Sequence, residues 1–136
     1  MNELNSRANA AHAWLEKARH DLICGKAALA LVEDCPYDMV CFHAHQCTEK
    51  AIKALMVLHG IIPPRNHDLT ELIILLPELI KLPATQDDLA ALNPFAVEQR
   101  YPGADDNPSP EETQRAMEIA TLVLTSALSI LKAIKI

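Results

Sequence analysis

The sequence predicts an all-α domain, a bundle of four to five helices, and three observations support this prediction. The chain has 136 residues, the size of one domain that buries a large core and needs no disulfide or metal ion to fold. Hydrophobic residues make up 50% of it and only three residues are glycine, a composition that favours helices over strands. Apolar residues recur at alternating steps of three and four along two long segments. We therefore expect residues 1–136 to form a single helical domain.

The first two helices are each predicted by one apolar stripe. The first stripe runs from about residue 8 to residue 32, and Pro36 can open the second helix. Gly60 ends the second helix, and Pro63 and Pro64 prevent it from resuming. The stripes consist of Ala11, Leu15, Ala18, Leu22, Gly25, Leu29 and Val32, and of Tyr37, Val40, Ala44, Cys47, Ala51, Ala54 and Leu58. Because the connection is short, we expect these helices to pack antiparallel.

Two shorter helices are predicted next along the chain. A third helix begins near His67 and Asp68, where Asp68 followed by Glu71 resembles a capping box, and Pro77 kinks or restarts it. Thr85 caps a short fourth helix that reaches about residue 93.

The last helix has a strong start signal, with Ser109 as its cap, Pro110 at its first position and Glu112 at its third. Residues 93–110 before it form the one long irregular stretch, and long ordered loops often carry function. After Ile119 the helix is apolar on more than one side. Either it lies centrally in the bundle, or part of it meets a second copy of the chain in a dimer.

Charge and composition restrict the classes of function. The formal net charge of −6 argues against a broad electropositive face for duplex nucleic acid, but leaves room for a local basic patch. The most apolar run, residues 119–134, is shorter than the roughly 20 residues of a membrane span, so we expect no membrane contact. The four cysteines, with no secretion signal ahead of them, are expected to be reduced thiols in the cytoplasm.

The segment C-F-H-A-H-Q-C-T-E-K-A-I-K-A-L, residues 41–55, raises the question of a metal site. His43 and His45 face apart on a helix, because two residues turn a side chain by about 200°. The arrangement that could supply four zinc ligands across two helices is His20, Cys24, His43 and Cys47. Cys47 already belongs to the apolar stripe, and the usual Cys-x-x-Cys spacing is lacking. We therefore predict no metal and no cofactor.

The same segment has a polar face opposite its apolar stripe. This face consists of Phe42, Gln46, Glu49, Lys50 and Lys53. Glu49 lies one helical turn before Lys53, the spacing at which the two side chains can form an ion pair. The simplest interpretation is a solvated helix face with one weak ion pair, and spacing alone does not decide between this and a binding surface.

Three motifs in order resemble the HEPN family, the higher eukaryotes and prokaryotes nucleotide-binding domain. They are F-H-A-H-Q-C-T-E-K-A-I-K-A-L, then H-G-I-I-P-P-R-N-H-D-L, then R-Y-P-G-A-D, and they span residues 42–105. The long flanking helices fit as well, so the resemblance covers nearly the whole chain. It implies a four- or five-helix up-and-down bundle that commonly dimerises. It also implies a small nucleotidyltransferase as partner, often in a toxin and antitoxin pair.

The resemblance carries a set of ligand-binding residues onto this chain. They are Gln46, Glu49, Lys50 and Lys53 of the second helix, His67 and Asp68 at the start of the third, and Arg100 and Tyr101 of the long loop. Lys50, Lys53 and Arg100 are cations suited to phosphate, and Tyr101 offers a ring for stacking. Each has a structural alternative: His67 could cap the third helix, Tyr101 could anchor the core, and Arg100 could pair with Glu49.

Ribonucleases of the wider superfamily carry an arginine followed four to six residues later by histidine. In this chain no histidine follows Arg100, and the one match, Arg7 with His12, lies at the N-terminus, outside the expected place. We therefore expect a nucleotide- or RNA-binding domain whose Lys50, Lys53 and Arg100 border one cavity, with no catalytic residue assigned. Two alternatives stay open: metal-independent RNA cleavage by His67 with Arg65 or Arg100, and protein association through the apolar last helix.

Overall fold

The computed structural model describes residues 2–96 and 107–134, and all regular secondary structure in this part of the chain is helical, without a strand. The helices are α1 (Glu3–Leu29), α2 (Tyr37–Leu58), α3 (Leu69–Ile74), α4 (Gln86–Leu92) and α5 (Pro110–Lys132), with a short 3-10 helix, Asn93–Phe95, after α4. The predicted all-α class with four to five helices is confirmed. None of the helices in the described ranges is long and apolar enough to cross a membrane.

The helix α1 runs antiparallel to α2, as predicted, and also to α5. Near one end, a methyl group at Gly25 would lie 3.6 Å from the His43 side chain and 2.9 Å from the Met117 sulfur. Near the other end, the guanidinium of Arg7 lies against Gly60, just beyond α2. Gly25 thus lets three helices approach closely at one level of the bundle.

The core lies between the three long helices and is closed by the short ones. Its members include Ala11, Leu15, Ala18 and Leu22 of α1, Val40, Ala44, Cys47, Ala51, Ala54 and Leu58 of α2, Leu69, Leu72, Leu89 and Leu92 of the short helices, and Ile119, Ala120, Val123 and Ala127 of α5. The prediction was wrong at Val32, which is 98% exposed, because α1 ends at Leu29 and the chain turns before the stripe continues.

Local capping determines where three of the helices begin. Ser109 and Glu112 form the predicted reciprocal capping box of α5, and Thr85 caps α4 as predicted. Asp68 caps α3 by accepting from two backbone N–H groups, but the reciprocal half of the predicted box differs, since the Glu71 carboxylate accepts from Asn66. The helix α3 is also shorter than predicted and ends at Ile74, before Pro77.

The turn after α2 brings the segment before α3 back to the middle of α2. Gly60 has a φ of +76°, in the left-handed region that glycine adopts at little cost, and the chain then reverses. The two prolines that follow keep the next residues out of a helix. His67 consequently reaches the side of α2 at the level of Glu49, where their side chains are hydrogen-bonded.

The last helix packs against α1, α2 and α4 and is apolar on two sides. Val123 and Leu124 are buried, whereas Leu122 and Leu128 expose large apolar side chains. The helix therefore has one buried side and one exposed side, so the alternative in which it lies centrally in the bundle is wrong. Contact of its outer side with a second copy of the chain stays a prediction.

Candidate functional site

The carboxylate of Glu49 joins Lys53, one residue of the predicted polar face of α2, to His67 from the segment before α3. Its Oε1 accepts a hydrogen bond from Nδ1 of His67 at 2.8 Å, and its Oε2 accepts one from Nζ of Lys53 at 2.9 Å. The predicted pairing of Glu49 with Lys53 is confirmed. The side chains of Glu49 and Lys53 are only 5% and 7% exposed, so the interpretation as a solvated helix face is wrong at these two positions. We call Glu49, Lys53 and His67 the Glu49 group.

His67 is held at both its side chain and its backbone by residues of α2. While Glu49 accepts from the imidazole, Nε2 of His45 donates to the backbone carbonyl of His67 at 2.9 Å. Since a carboxylate only accepts, the neutral His67 ring carries its proton on Nδ1, and its Nε2 has no partner among the described residues. The His67 side chain is 60% exposed, so solvent reaches this imidazole. The alternative in which His67 caps α3 is wrong, because Asp68 fills that position.

Asp68 has a structural role at the start of α3. Its Oδ1 accepts from the backbone and hydroxyl of Thr70 and from the side-chain amide of Asn93. The hydrogen bond from the Thr70 hydroxyl, supported by the Asn93 amide, lowers the pKa of Asp68 and keeps it ionised. Asn93 also accepts from the backbone N–H of Leu69, so Asp68 and Asn93 join α3 to the end of α4.

A second carboxylate, that of Asp21 on α1, organises the other side of the α2 face. Its Oδ1 accepts from Nδ1 of His43 at 2.9 Å, and its Oδ2 accepts from Nζ of Lys50 at 2.5 Å. The side chain of Asp21 is 11% exposed, and those of His43 and Lys50 are 25% and 26% exposed. We call these three residues the Asp21 group. Gln46 is partly buried on the same helix, at a position between the two groups.

The innermost polar residue of the site is His45, which is fully buried. Its Nε2 must carry the proton that is donated to the His67 carbonyl, which leaves Nδ1 as an acceptor. Nδ1 has no hydrogen-bond partner among the described residues and lies 3.8 Å from Oε1 of Glu49. Burial lowers the pKa of His45, despite the nearby carboxylate, and keeps this imidazole neutral.

The four residues considered for zinc are not assembled as a ligand set. His43 bonds to Asp21, and the Cys47 sulfur lies 3.9 Å from the carbonyl of Ala120. Burial raises the pKa of Cys47 to about 12, so it remains a thiol and not the thiolate that binds metal. Within residues 2–96 and 107–134, no group of three or more His, Cys, Asp or Glu side chains is placed to hold a metal ion.

The predicted site residues are therefore divided among several places. Lys53 and His67 meet at Glu49, Lys50 turns to Asp21 on another helix, and Asp68 caps α3. Arg100 and Tyr101 lie outside the described residues, so the cavity expected between Arg100 and the two lysines stays a prediction.

Sequence reasoning missed Asp21, His43 and His45 as parts of the site. The spacing of His45, Glu49 and Lys53 at successive steps of four was the available signal for His45. Asp21 lies one residue before Leu22 of the apolar stripe, and a buried acid so placed suggests a partner on the facing helix. Its partners lie more than 20 residues away along the chain, so spacing within α1 gave no indication of them.

The fold and site together define a small helical-bundle domain with a carboxylate-centred polar site on its second helix. The HEPN domain family model matches residues 11–131, and the chain belongs to this family. The crystal structure of TT1696 from Thermus thermophilus is similar, with 28% identity, a TM-score of 0.75, and coverage of 89% of this chain and 98% of that chain. The crystal structure of ST0689, described as an archaeal HEPN homologue, has 22% identity, a TM-score of 0.48, and coverage of 96% and 99%. A comparison with curated proteins gave no significant match.

Proposed function

We propose that the protein is a nucleotide- or RNA-binding domain that uses the outer face of α2 and the adjoining His67. The observation that carries this proposal is the pair of groups on one helix face, each with a histidine and a lysine attached to a carboxylate. Membership of the HEPN family supports the same assignment.

The carboxylates of Asp21 and Glu49 balance the ammonium groups of Lys50 and Lys53. These four charges sum to zero, so the proposed binding depends on directed hydrogen bonds from accessible donors more than on a net positive charge.

A phosphate can reach Nζ of Lys50 and, when the imidazole is protonated, Nε2–H of His67, whereas Lys53 is buried against Glu49. A base can stack on Phe42, which is partly buried on the same face and packs edge-to-face on His43 with a centroid distance of 5.3 Å. In this proposal Arg100 and Tyr101 add a cation and a second aromatic ring from the long loop.

Isothermal titration calorimetry with adenine and guanine nucleotides and a short single-stranded RNA tests the proposal. Lys50→Ala and His67→Ala should each weaken binding roughly tenfold, the effect of losing one charge-assisted hydrogen bond. Lys17→Ala and His20→Ala, two exposed positions on α1, are matched controls and should change nothing. The proposal fails if the wild type binds none of these ligands, or if site and control variants bind alike.

The proposal also includes a partner and a second copy of the chain. The partner is a small nucleotidyltransferase, in a toxin and antitoxin type pair in the cytoplasm, and the exposed Leu122 and Leu128 of α5 offer an apolar surface for association. Co-expression with a nucleotidyltransferase encoded beside this gene should yield a complex on gel filtration. A protein that elutes as a monomer and does not bind the nucleotidyltransferase would contradict the proposed partner and the proposed dimer.

A second candidate function, metal-independent RNA cleavage, is favoured by the contact between Glu49 and His67. With Nδ1–H held by the carboxylate, Nε2 of His67 is the atom that can take the proton of a ribose 2′-hydroxyl. The 2′-oxygen would then attack phosphorus to form a 2′,3′-cyclic phosphate, the bond from phosphorus to the 5′-oxygen would break, and the 5′-oxygen would take a proton from water. In this second candidate function Arg65, exposed two residues earlier, holds the phosphate.

RNA cleavage in the presence of a chelator tests this second candidate. His67→Gln should abolish cleavage, Arg65→Ala should reduce it, and His20→Gln should leave it unchanged. Cleavage that survives in His67→Gln, or its absence in the wild type, would eliminate His67 as the general base.

A further inference from the structure

The buried nitrogen Nδ1 of His45 faces an acceptor where a donor would be expected. His45 is fully buried, and its one hydrogen bond with a described residue runs from Nε2 to the His67 carbonyl. Its Nδ1 then presents a lone pair toward Oε1 of Glu49, 3.8 Å away. Buried polar atoms are rarely left without partners, so each such case calls for a physical reason.

We propose that His45 is a positioning residue for His67, and that protonation of Nδ1 of His45 releases the His67 ring from Glu49. In the neutral state His45 fixes the backbone of His67 while Glu49 fixes its ring. A proton on Nδ1 converts this atom into a donor toward Oε1, the same oxygen that accepts from His67. A small rotation of either side chain closes 3.8 Å to hydrogen-bond distance.

The number of positive charges around the Glu49 carboxylate explains why His67 is the residue that loses its hydrogen bond to Glu49. The charged or titratable groups that act on His45 are Glu49 and Lys53 of its own helix and His67 from the segment before α3. Once His45 is cationic, it and Lys53 already supply two positive charges to one buried carboxylate. His67 is much more exposed than these residues, so water replaces the lost hydrogen bond most readily there.

In this proposal, a drop in pH that protonates the buried His45 changes the position of the exposed His67 ring. Burial lowers the pKa of His45, which places its protonation on the acid side of ordinary histidine behaviour. Above the pH at which His45 is protonated, Nδ1–H of His67 donates to the Glu49 carboxylate, and below that pH the His67 ring is free in solvent. If the proposed function holds, on which this consequence rests, acidification would release His67 for contact with a phosphate.

Nitrogen-15 NMR of the imidazole rings, followed during an acid titration of the full chain without nucleotide, tests the inference. In the wild type, the His67 Nδ1–H signal should be lost at the same midpoint at which His45 becomes protonated. In His45→Gln, whose amide keeps a donor to the His67 carbonyl but cannot titrate, that signal should persist to lower pH. His12→Gln, at an exposed position of α1, is the matched control and should behave as the wild type.

Two results would overturn the inference. One is loss of the His67 signal at a pH different from the His45 midpoint in the wild type, a comparison that needs no variant to fold. The other is a wild type that unfolds before His45 takes up a proton. Neither result involves ligand binding, so this inference and the proposed function can fail separately.

Discussion

The Glu49 group and the Asp21 group contain the same three chemical parts in different surroundings. In each, one carboxylate accepts from Nδ1 of a histidine through one oxygen and from a lysine ammonium through the other. In the Glu49 group the acid and the lysine are both buried, whereas in the Asp21 group the lysine is partly exposed. The comparison shows that the same hydrogen-bonding pattern can bury its acid and lysine pair in one place and leave the lysine of that pair partly open to solvent in another.

Desolvation is the physical origin of the difference. A buried ion pair has lost most of its hydration, so each partner depends on the other, while a partly exposed pair can exchange its partner for water. We expect the Glu49 and Lys53 pair to respond strongly to removal of one member, and the Asp21 and Lys50 pair to respond mildly. Four predictions test this comparison.

The largest effect is expected from Glu49→Gln. The change leaves the Lys53 ammonium buried without a counter-charge and should lower the free energy of unfolding by about 3–5 kcal/mol. The matched change Asp21→Asn should cost about 1–2 kcal/mol, because Lys50 can turn to water. Urea unfolding followed by circular dichroism measures both. Equal losses at the two carboxylates would show that burial does not distinguish the groups.

Restoring charge balance should recover much of that loss. The double variant Glu49→Leu with Lys53→Met replaces a buried ion pair by apolar side chains of similar size, which is often neutral for stability. We expect it to be more stable than Glu49→Gln by roughly 2 kcal/mol in the same urea experiment. A double variant that is less stable than the single one would mean that the contact of Glu49 with His67 matters more than the ion pair.

The elements of the fold were predictable where short-range chemistry determines them. Ser109 with Glu112, Thr85, Asp68 and Gly60 mark helix ends through contacts with residues a few positions away, so the sequence alone indicates them. The end of α1 was predicted too late, since the apolar stripe continues to Val32 after the helix has stopped.

The site was predictable only in the part that lies on one helix. Glu49 and Lys53 are one turn apart, and their contact follows from spacing. The contacts of Asp21 with Lys50, and of Glu49 with His67, join residues far apart in sequence and depend on how the helices pack. Burial of Lys53 could not be predicted from spacing either, because the segment with His67 comes back to this side of α2 only after the turn at Gly60.

The third prediction concerns the pH dependence that His45 adds to the Glu49 group. Because its pKa is lowered in the folded state, the unfolded chain binds more protons just below the ordinary histidine pKa of about 6.5. Stability should therefore fall as the pH decreases through this window, by at most about 1.4 kcal/mol per pH unit for one proton. His45→Gln should flatten the slope.

A matched control separates titration from simple loss of a buried contact. Thr48 is buried on the same helix and donates to the Ala44 carbonyl, so Thr48→Val removes a hydrogen bond without removing an ionisable group. Thermal unfolding between about pH 5 and pH 7 should show the wild-type slope in Thr48→Val and a smaller slope in His45→Gln. A reduced slope in both variants would attribute the pH dependence to packing.

The smallest expected effect is a difference in salt sensitivity between the two ion pairs. Double-mutant cycles of Asp21→Asn with Lys50→Met, and of Glu49→Gln with Lys53→Met, give the coupling energy of each pair. Raising the ionic strength from about 0.01 M to 1 M should reduce the first coupling by roughly 0.5 kcal/mol, because salt screens partly exposed charges, and change the second less. If both couplings decrease equally, water and ions reach Glu49 as easily as Asp21. The Glu49 group would then be an accessible surface like its counterpart, and Lys53 would become as available to a phosphate as Lys50.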